Sequence, residues 1–330
     1  MVELKTSGEI EAIHAAGQVV AQILAAMREQ ASAGTRLREL DEAAREVLAK
    51  AGATSPFLGY QPAFAPVPFP AAICTSVNDA ALHGIPGRYR LAEGDLLSVD
   101  CGAALDGWVA DAATSFTIGP PSPADERLLG TAMTALREGI EAAVPGGRLG
   151  DISAAIGAAG RAGGYGICGD FGGHGVGRAM HEDPHIPNEG RRGRGLRLSA
   201  GLVLAIEPWF LAGGKDDYRI DRDGWTIRSA DGSRAAHVEH TVAITGDGPL
   251  VLTALSVRVV IRAGHRDGSP AAAWRLVLAG TLFWRDLHAV VRAGTFTRRA
   301  PGDLHPVVRA GTFTRRAPGQ AVTIGEHAVT

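Results

Sequence analysis

At 330 residues and 45% hydrophobic content, the chain can bury a sizeable core as one large domain or two small ones, so composition permits an enzyme without naming one. The formal net charge of -2 hides an asymmetry: residues 1–255 carry 22 Lys and Arg against 31 Asp and Glu, while 256–330 carry 11 against 4. Cys74, Cys101 and Cys168 are too few and too scattered for a disulfide framework, MVELKTSGEIEAIH is too charged for a signal peptide, and no run of apolar residues reads as a membrane span, so a cytoplasmic protein is expected.

Thr6-Ser7-Gly8-Glu9 has capping-box spacing, and Ile10, Ile13, Ala16 and Val20 follow at helical intervals, which predicts a first helix to about Gln30. A second helix is predicted over Arg38 to Ala49, stopping at Gly52. Gln61 to Pro70 is rich in proline and aromatics and reads as a rigid surface loop. Ser122-Pro123 opens a third helix that runs through Ala143, and Leu149 to Ala162 is a fourth. Strand character appears at 71–77, 95–105, 108–118, 201–210, 225–230 and 235–245. Helices mixed with hairpin signals, without regular βαβ alternation, predict an α+β fold with a largely antiparallel sheet.

The tail differs in kind. Residues 286–302, DLHAVVRAGTFTRRAPG, recur with one substitution as 303–319. Two copies are too few for a stacking solenoid, so the expected division is a catalytic body at 1–254 and an Arg-rich, disordered or poorly packed tail at 255–330. Its repeated TRRAPG could instead meet phosphate on nucleic acid, but a solvated extension is the preferred reading, with no specific nucleic-acid or membrane partner expected.

Asp100 and Asp111 flank the turn signal Asp106-Gly107. A two-residue hairpin there pairs position 111 with 102, which shares a face with 100, so both carboxylates point the same way from strands of apolar neighbours. Like charges so placed require a raised pKa or a bound cation. Glu207, ending GLVLAI, and Glu239, inside AAHVEHTVAIT, face the same difficulty. His174 sits among glycines in FGGHGVGR, His181 follows in MHEDPH, and His83 precedes a Gly-Ile-Pro turn. Each of these residues alone has an ordinary structural explanation. Together, four carboxylates and an imidazole form a hard, oxygen-rich set that suits paired divalent first-row cations.

The segments SVNDAALHGIP, LLSVDCGAALDGWVADAATSFTIG, GGHGVGRAMHEDP, LAIEPWF and DGWTIRSADGSRAAHVEHTV resemble those of type I methionine aminopeptidases, in order, over residues 1 to about 254. The resemblance implies the pita-bread fold: a pseudo-two-fold, curved antiparallel sheet flanked by helices. It also implies two divalent metal ions (Co, Fe, Mn or Zn), one held by Asp100 and Asp111 and the other by Asp111, His174, Glu207 and Glu239, with Asp111 and Glu239 bridging. A water between them would attack the carbonyl that follows the methionine. Glu207 would shuttle the proton, and His83 and His181 would hydrogen-bond the substrate. Tyr60, Cys74, Met180 and Trp225, with Phe57 nearby, match the methionine pocket, although Phe57 and Met180 stand where many members have cysteine and phenylalanine. The resemblance further implies a monomer acting on nascent N-termini at the ribosome. Only 26 positions separate His181 from Glu207, a type I layout without the long type II insertion. Two rivals stay open: a peptidase of the same fold that cleaves before proline, and an inactive binding protein of that fold.

Overall fold

The computed structural model describes residues 2–255 throughout, with the backbone of 260–261 and 274–275. The chain divides into two compact units, Met1–Ala254 and Leu255–Thr330.

The first unit begins with α1 (Ser7–Gln30), whose capping box forms as expected: the Glu9 backbone N–H donates to the Thr6 hydroxyl, and the Thr6 N–H donates to Glu9 Oε2 at 2.8 Å. α2 (Leu37–Ala51) ends at Gly52, whose φ of 67° is the left-handed cap that glycine adopts without strain. β1 (Ile73–Val77), β2 (Ala80–Leu82), β3 (Leu96–Leu105) and β4 (Trp108–Thr117) follow, with β1-β3-β4 forming an antiparallel sheet. Asp106 and Gly107 both have positive φ, 50° and 78°, as a two-residue hairpin turn requires, and the register pairs Gly102 with Asp111. Asp100 and Asp111 therefore share a face. α1 is long and apolar enough to cross a membrane, contrary to the expectation that no apolar run reads as a span. Its stripe of Ile13, Ala16, Val20, Ile23 and Met27 is instead buried in the core that includes β3 and β4.

α3 (Pro123–Ala142) starts from Ser122, whose hydroxyl accepts the Asp125 N–H at 3.1 Å, and α4 (Leu149–Ala162) packs beside it. Nine short strands complete the unit: β5 (Gly172–Gly175), β6 (Glu182–Pro187), β7 (Val203–Ile206), β8 (Trp209–Leu211), β9 (Tyr218–Ile220), β10 (Ile227–Ser229), β11 (Ala235–His237), β12 (His240–Thr245) and β13 (Gly248–Val251). The main sheet of this half runs β13-β12-β7-β5-β6, antiparallel throughout. Leu128, Leu136, Ile152 and Ile156 of the helices join Leu204, Ile206 and Val242 of the sheet in one core. Each half is thus a helix pair on an antiparallel sheet.

The segments 201–210 and 235–245, each expected as one strand, are both broken. Pro208 has no N–H to continue a ladder, so β7 ends at Ile206 and β8 leaves to pair with β11. The second break falls at Val238-Glu239, where the Glu239 backbone leaves its own sheet and exchanges hydrogen bonds with Ala113 of β4 at 3.0 and 3.4 Å. The Thr241 hydroxyl accepts the Asp111 N–H at 2.9 Å and donates to the Asp111 carbonyl at 2.7 Å. These bonds stitch the two halves together. Strands β2, β5, β6, β9 and β13 lay outside the sequence expectation; β5 is three glycines around His174, which carry no strand propensity. In the second unit, β14 (Val260–Ile261) pairs with β15 (Trp274–Arg275), and the duplication at 286–319 with its expected disorder lies outside the described residues.

Candidate metal centre and its cavity

The seam between the halves opens into a cavity of about 460 Å³. All five expected ligands line it, as do His83, His181 and the five pocket positions Phe57, Tyr60, Cys74, Met180 and Trp225. Hairpin parity aims Asp100 and Asp111 from the first half, and the second half brings His174 on β5 with Glu207 and Glu239 at the two strand breaks. His174 requires its glycine neighbours: a Cβ on Gly173 would strike the Ala205 carbonyl, and one on Gly175 the Asp183 carbonyl.

Asp111, His174 and Glu239 are buried, and each offers a ligand atom within 4.8 Å of the others. His174 Nε2 stands 3.7 Å from Glu207 Oε1 and 4.0 Å from Asp111 Oδ2. Its Nδ1 lies 2.9 Å from the Gly175 carbonyl, which only accepts, so Nδ1 carries the proton and Nε2 presents its lone pair to the carboxylates. Asp100 Oδ1, Asp111 Oδ1 and Glu239 Oε1 are buried and accept no hydrogen bond. Burial, then the Asp111 and Glu207 charges, push the Asp100 carboxyl well up, and burial followed by Asp111 does the same to Glu239. Asp111 rises to about 6, chiefly through burial, with His174 opposing. Buried acceptor-only atoms with no donor, repelling one another, are what a hard divalent cation satisfies. The residues fit the metal that the sequence implied.

Glu207 behaves differently. Burial pushes it up, but His237, whose Nε2 is 3.3 Å away, and the nearby His174 and His181 hold it below the ordinary carboxylate range. Sequence reasoning missed His237, although it shares strand parity with Glu239. It also missed Asn188, whose Nδ2 donates to the Glu207 carbonyl at 3.1 Å, and the hydroxyl of Thr241 behind Asp111.

His83 has a positive φ of 56°, a conformation that a non-glycine residue keeps only when its surroundings impose it. Burial lowers its pKa to about 4, so at neutral pH it is an uncharged imidazole. His181 lies 4.2 Å from the His174 ring, open to the cavity, and is lowered too, by desolvation and then by His174. The apolar end is walled by Trp225, whose Nε1 donates to the Val67 carbonyl at 2.9 Å, and by Phe69 5.0 Å from it. Burial and the Asp100 charge push the Cys74 thiol well up, so it contributes a neutral, polarisable wall and no nucleophile. Phe64, Phe69 and Phe171 also line the cavity, and nothing in the proline-rich sequence around the first two marked them.

The model of metallopeptidase family M24 matches residues 11–246. The chain belongs to metallopeptidase family M24. Within the family it is similar to methionine aminopeptidase 1 of Mycobacterium tuberculosis (strain CDC 1551 / Oshkosh), with 49% identity over 260 residues, covering 77% of this chain and 95% of the relative. It also resembles a crystal structure of methionine aminopeptidase from Thermotoga maritima, with a TM-score of 0.73 at 37% identity, covering 77% and 99% of the two chains. A prolidase of the same fold from Pyrococcus furiosus matches at 24% identity and a TM-score of 0.60, covering 76% of this chain and 65% of that one. That level of likeness shows the shared fold alone. The architecture is thus the pita-bread α+β fold of M24 methionine aminopeptidases.

Proposed function

We propose that this M24 enzyme is a methionine aminopeptidase that removes the initiator methionine from proteins whose second residue is small. One observation carries the reading: buried carboxylates without donors share a single cavity with a soft, aromatic pocket that suits a thioether. Asp100, Asp111, His174, Glu207 and Glu239 would together hold two divalent cations. Oxygen and imidazole donors accept Co, Fe, Mn or Zn, so availability in the cell selects the ion. When bound, such cations polarise the scissile carbonyl and activate the attacking water.

The chain's own groups do the rest. Asp100 faces the substrate's α-amine. Glu207, which His237 holds below the ordinary carboxylate range against the effect of burial, takes the water's proton and passes it to the leaving amine. His83 and His181, neutral at pH 7, donate hydrogen bonds to the substrate as the carbonyl carbon becomes tetrahedral. The substrates are nascent polypeptide N-termini near the ribosome, in the cytoplasm, and the enzyme acts as a monomer. Three buried free cysteines suit a reducing compartment. Met-Gly-Ser and Ala-Pro peptides assayed side by side with manganese, iron, cobalt or zinc test the reading, with bound metal counted by native mass spectrometry. Methionine release in a metal-dependent reaction supports it; cleavage of Ala-Pro alone, or retained activity after exhaustive chelation, overturns it.

A further inference from the structure

The segment from Gln61 to Pro70 contains Pro62, Pro66, Pro68 and Pro70, which fix φ at four positions. Its ends are tied together, because Gly59 N–H donates to the Phe69 carbonyl and Phe69 N–H to the Tyr60 carbonyl, both at 2.8 Å. Its far side is tied to the pocket through the Trp225 indole bond to Val67, and Pro66 packs so closely over Gly224 that a Cβ there would collide with its ring. The loop is therefore held in one conformation.

Phe64 sits within it. Its ring lies 5.6 Å from Trp225, 5.7 Å from Phe171 and 6.1 Å from the nearly parallel His83 ring. Trp225 is 3% exposed whereas Phe64 is 43% exposed, so Phe64 forms the solvent side of this ring cluster. Phe64 thus borders the cavity beside both Trp225 and His83, on the side where a peptide whose methionine fills the Trp225 end would leave towards solvent. We propose that Phe64 is a specificity-determining residue: a fixed aromatic wall that meets the side chain following the methionine and limits its size.

This inference rests on the methionine aminopeptidase reading. A rigid wall discriminates by exclusion, and each methylene in such a site is worth about 10–200-fold in kcat/KM. The test measures kcat/KM for Met-Ala-Ser, Met-Val-Ser and Met-Leu-Ser peptides with the full chain, metal-loaded, as wild type, Phe64→Ala and Phe64→Trp, after circular dichroism shows that each variant is folded. Phe64→Ala should raise the Val/Ala and Leu/Ala ratios about tenfold or more, and Phe64→Trp should lower them. Ratios that stay within twofold in both variants, even if every peptide is cleaved more slowly, overturn the proposal and leave Phe64 a general cover. Failure of the wild type to cleave Met-Ala-Ser would overturn the underlying reading instead, so the two failures are distinguishable.

Discussion

Asp111→Asn separates the electrostatic cost of the metal centre from its use. The Asp111 carboxyl is raised from 3.8 to about 6, with burial the main cause. A raised acid destabilises the fold when ionised: the cost is absent below the unfolded value of 3.8, grows as pH rises towards 6, and is complete above it. At 1.36 kcal/mol per unit, the difference corresponds to about 3 kcal/mol at pH 7.5, or a melting shift of about 6–12 °C for a body of this size. In the presence of a chelator, Asp111→Asn should therefore melt higher than wild type at pH 7.5, with the gap narrowing towards pH 5. Asp111 Oδ1 accepts no hydrogen bond, so the amide forfeits little there. On adding manganese or cobalt, wild type should gain stability and the variant should gain almost none, with loss of methionine release. Scanning fluorimetry at the two pH values, with and without metal, reads all of this. A variant that melts below wild type in chelator at pH 7.5 would refute the idea that the buried, ionised Asp111 carboxylate strains the metal-free site.

Lys5 Nζ, with its side chain 2% exposed, bonds Glu182 at 2.9 Å, and Glu182 Oε1 in turn accepts the Arg178 and Ala179 N–H groups that shape the turn before His181. Lys5→Met removes the ammonium partner of the half-buried Glu182 carboxylate, which keeps its two backbone donors, and should cost about 1 kcal/mol at pH 7 in urea unfolding. Burial raises Glu182, but Lys5 and the backbone donors hold it below 4.5; the deficit should persist above that value and close as pH falls through the lower folded one. Trp225→Ala removes the wall against Phe64 and Phe69, so kcat/KM for Met-Ala peptides should fall about tenfold or more in steady-state assays. Thr241→Val strands the buried Asp111 N–H and carbonyl and should weaken metal affinity about 10–100-fold by calorimetric titration, with Thr241→Ser restoring it.

Much of the frame was legible because its signals are local. The capping box at Thr6, the proline at the first position of α3, Gly52 and Asp106-Gly107 each satisfy backbone requirements of their own neighbourhood, and each does so in the structure. The shared face of Asp100 and Asp111 followed from the same logic, since a two-residue turn fixes register and register fixes parity. Phe64 and Phe171 left no such trace. Their roles depend on a proline-rich loop docking against residues more than a hundred positions away, and no period in the sequence encodes that approach.

The two strand breaks show why the site lies where it does. Read as patterns, GLVLAIEPWF and AAHVEHTVAIT are continuous strands, because an acidic residue within an apolar run looks like an ordinary alternation. In the fold, each run changes partners at its glutamate: β7 gives way to β8 after Glu207, and β11 to β12 around Glu239. A residue inside a continuous ladder can only point above or below its sheet, whereas one at a change of partners can face the seam between sheets. Glu239 uses its freed backbone to bind Ala113, two residues from Asp111 on the same strand. The hydrogen bond that joins the halves thereby also brings together two of the carboxylates assigned to the metals. Stability and metal affinity should consequently be coupled at this seam, and substitutions behind it, such as at Thr241, should move both in the same direction.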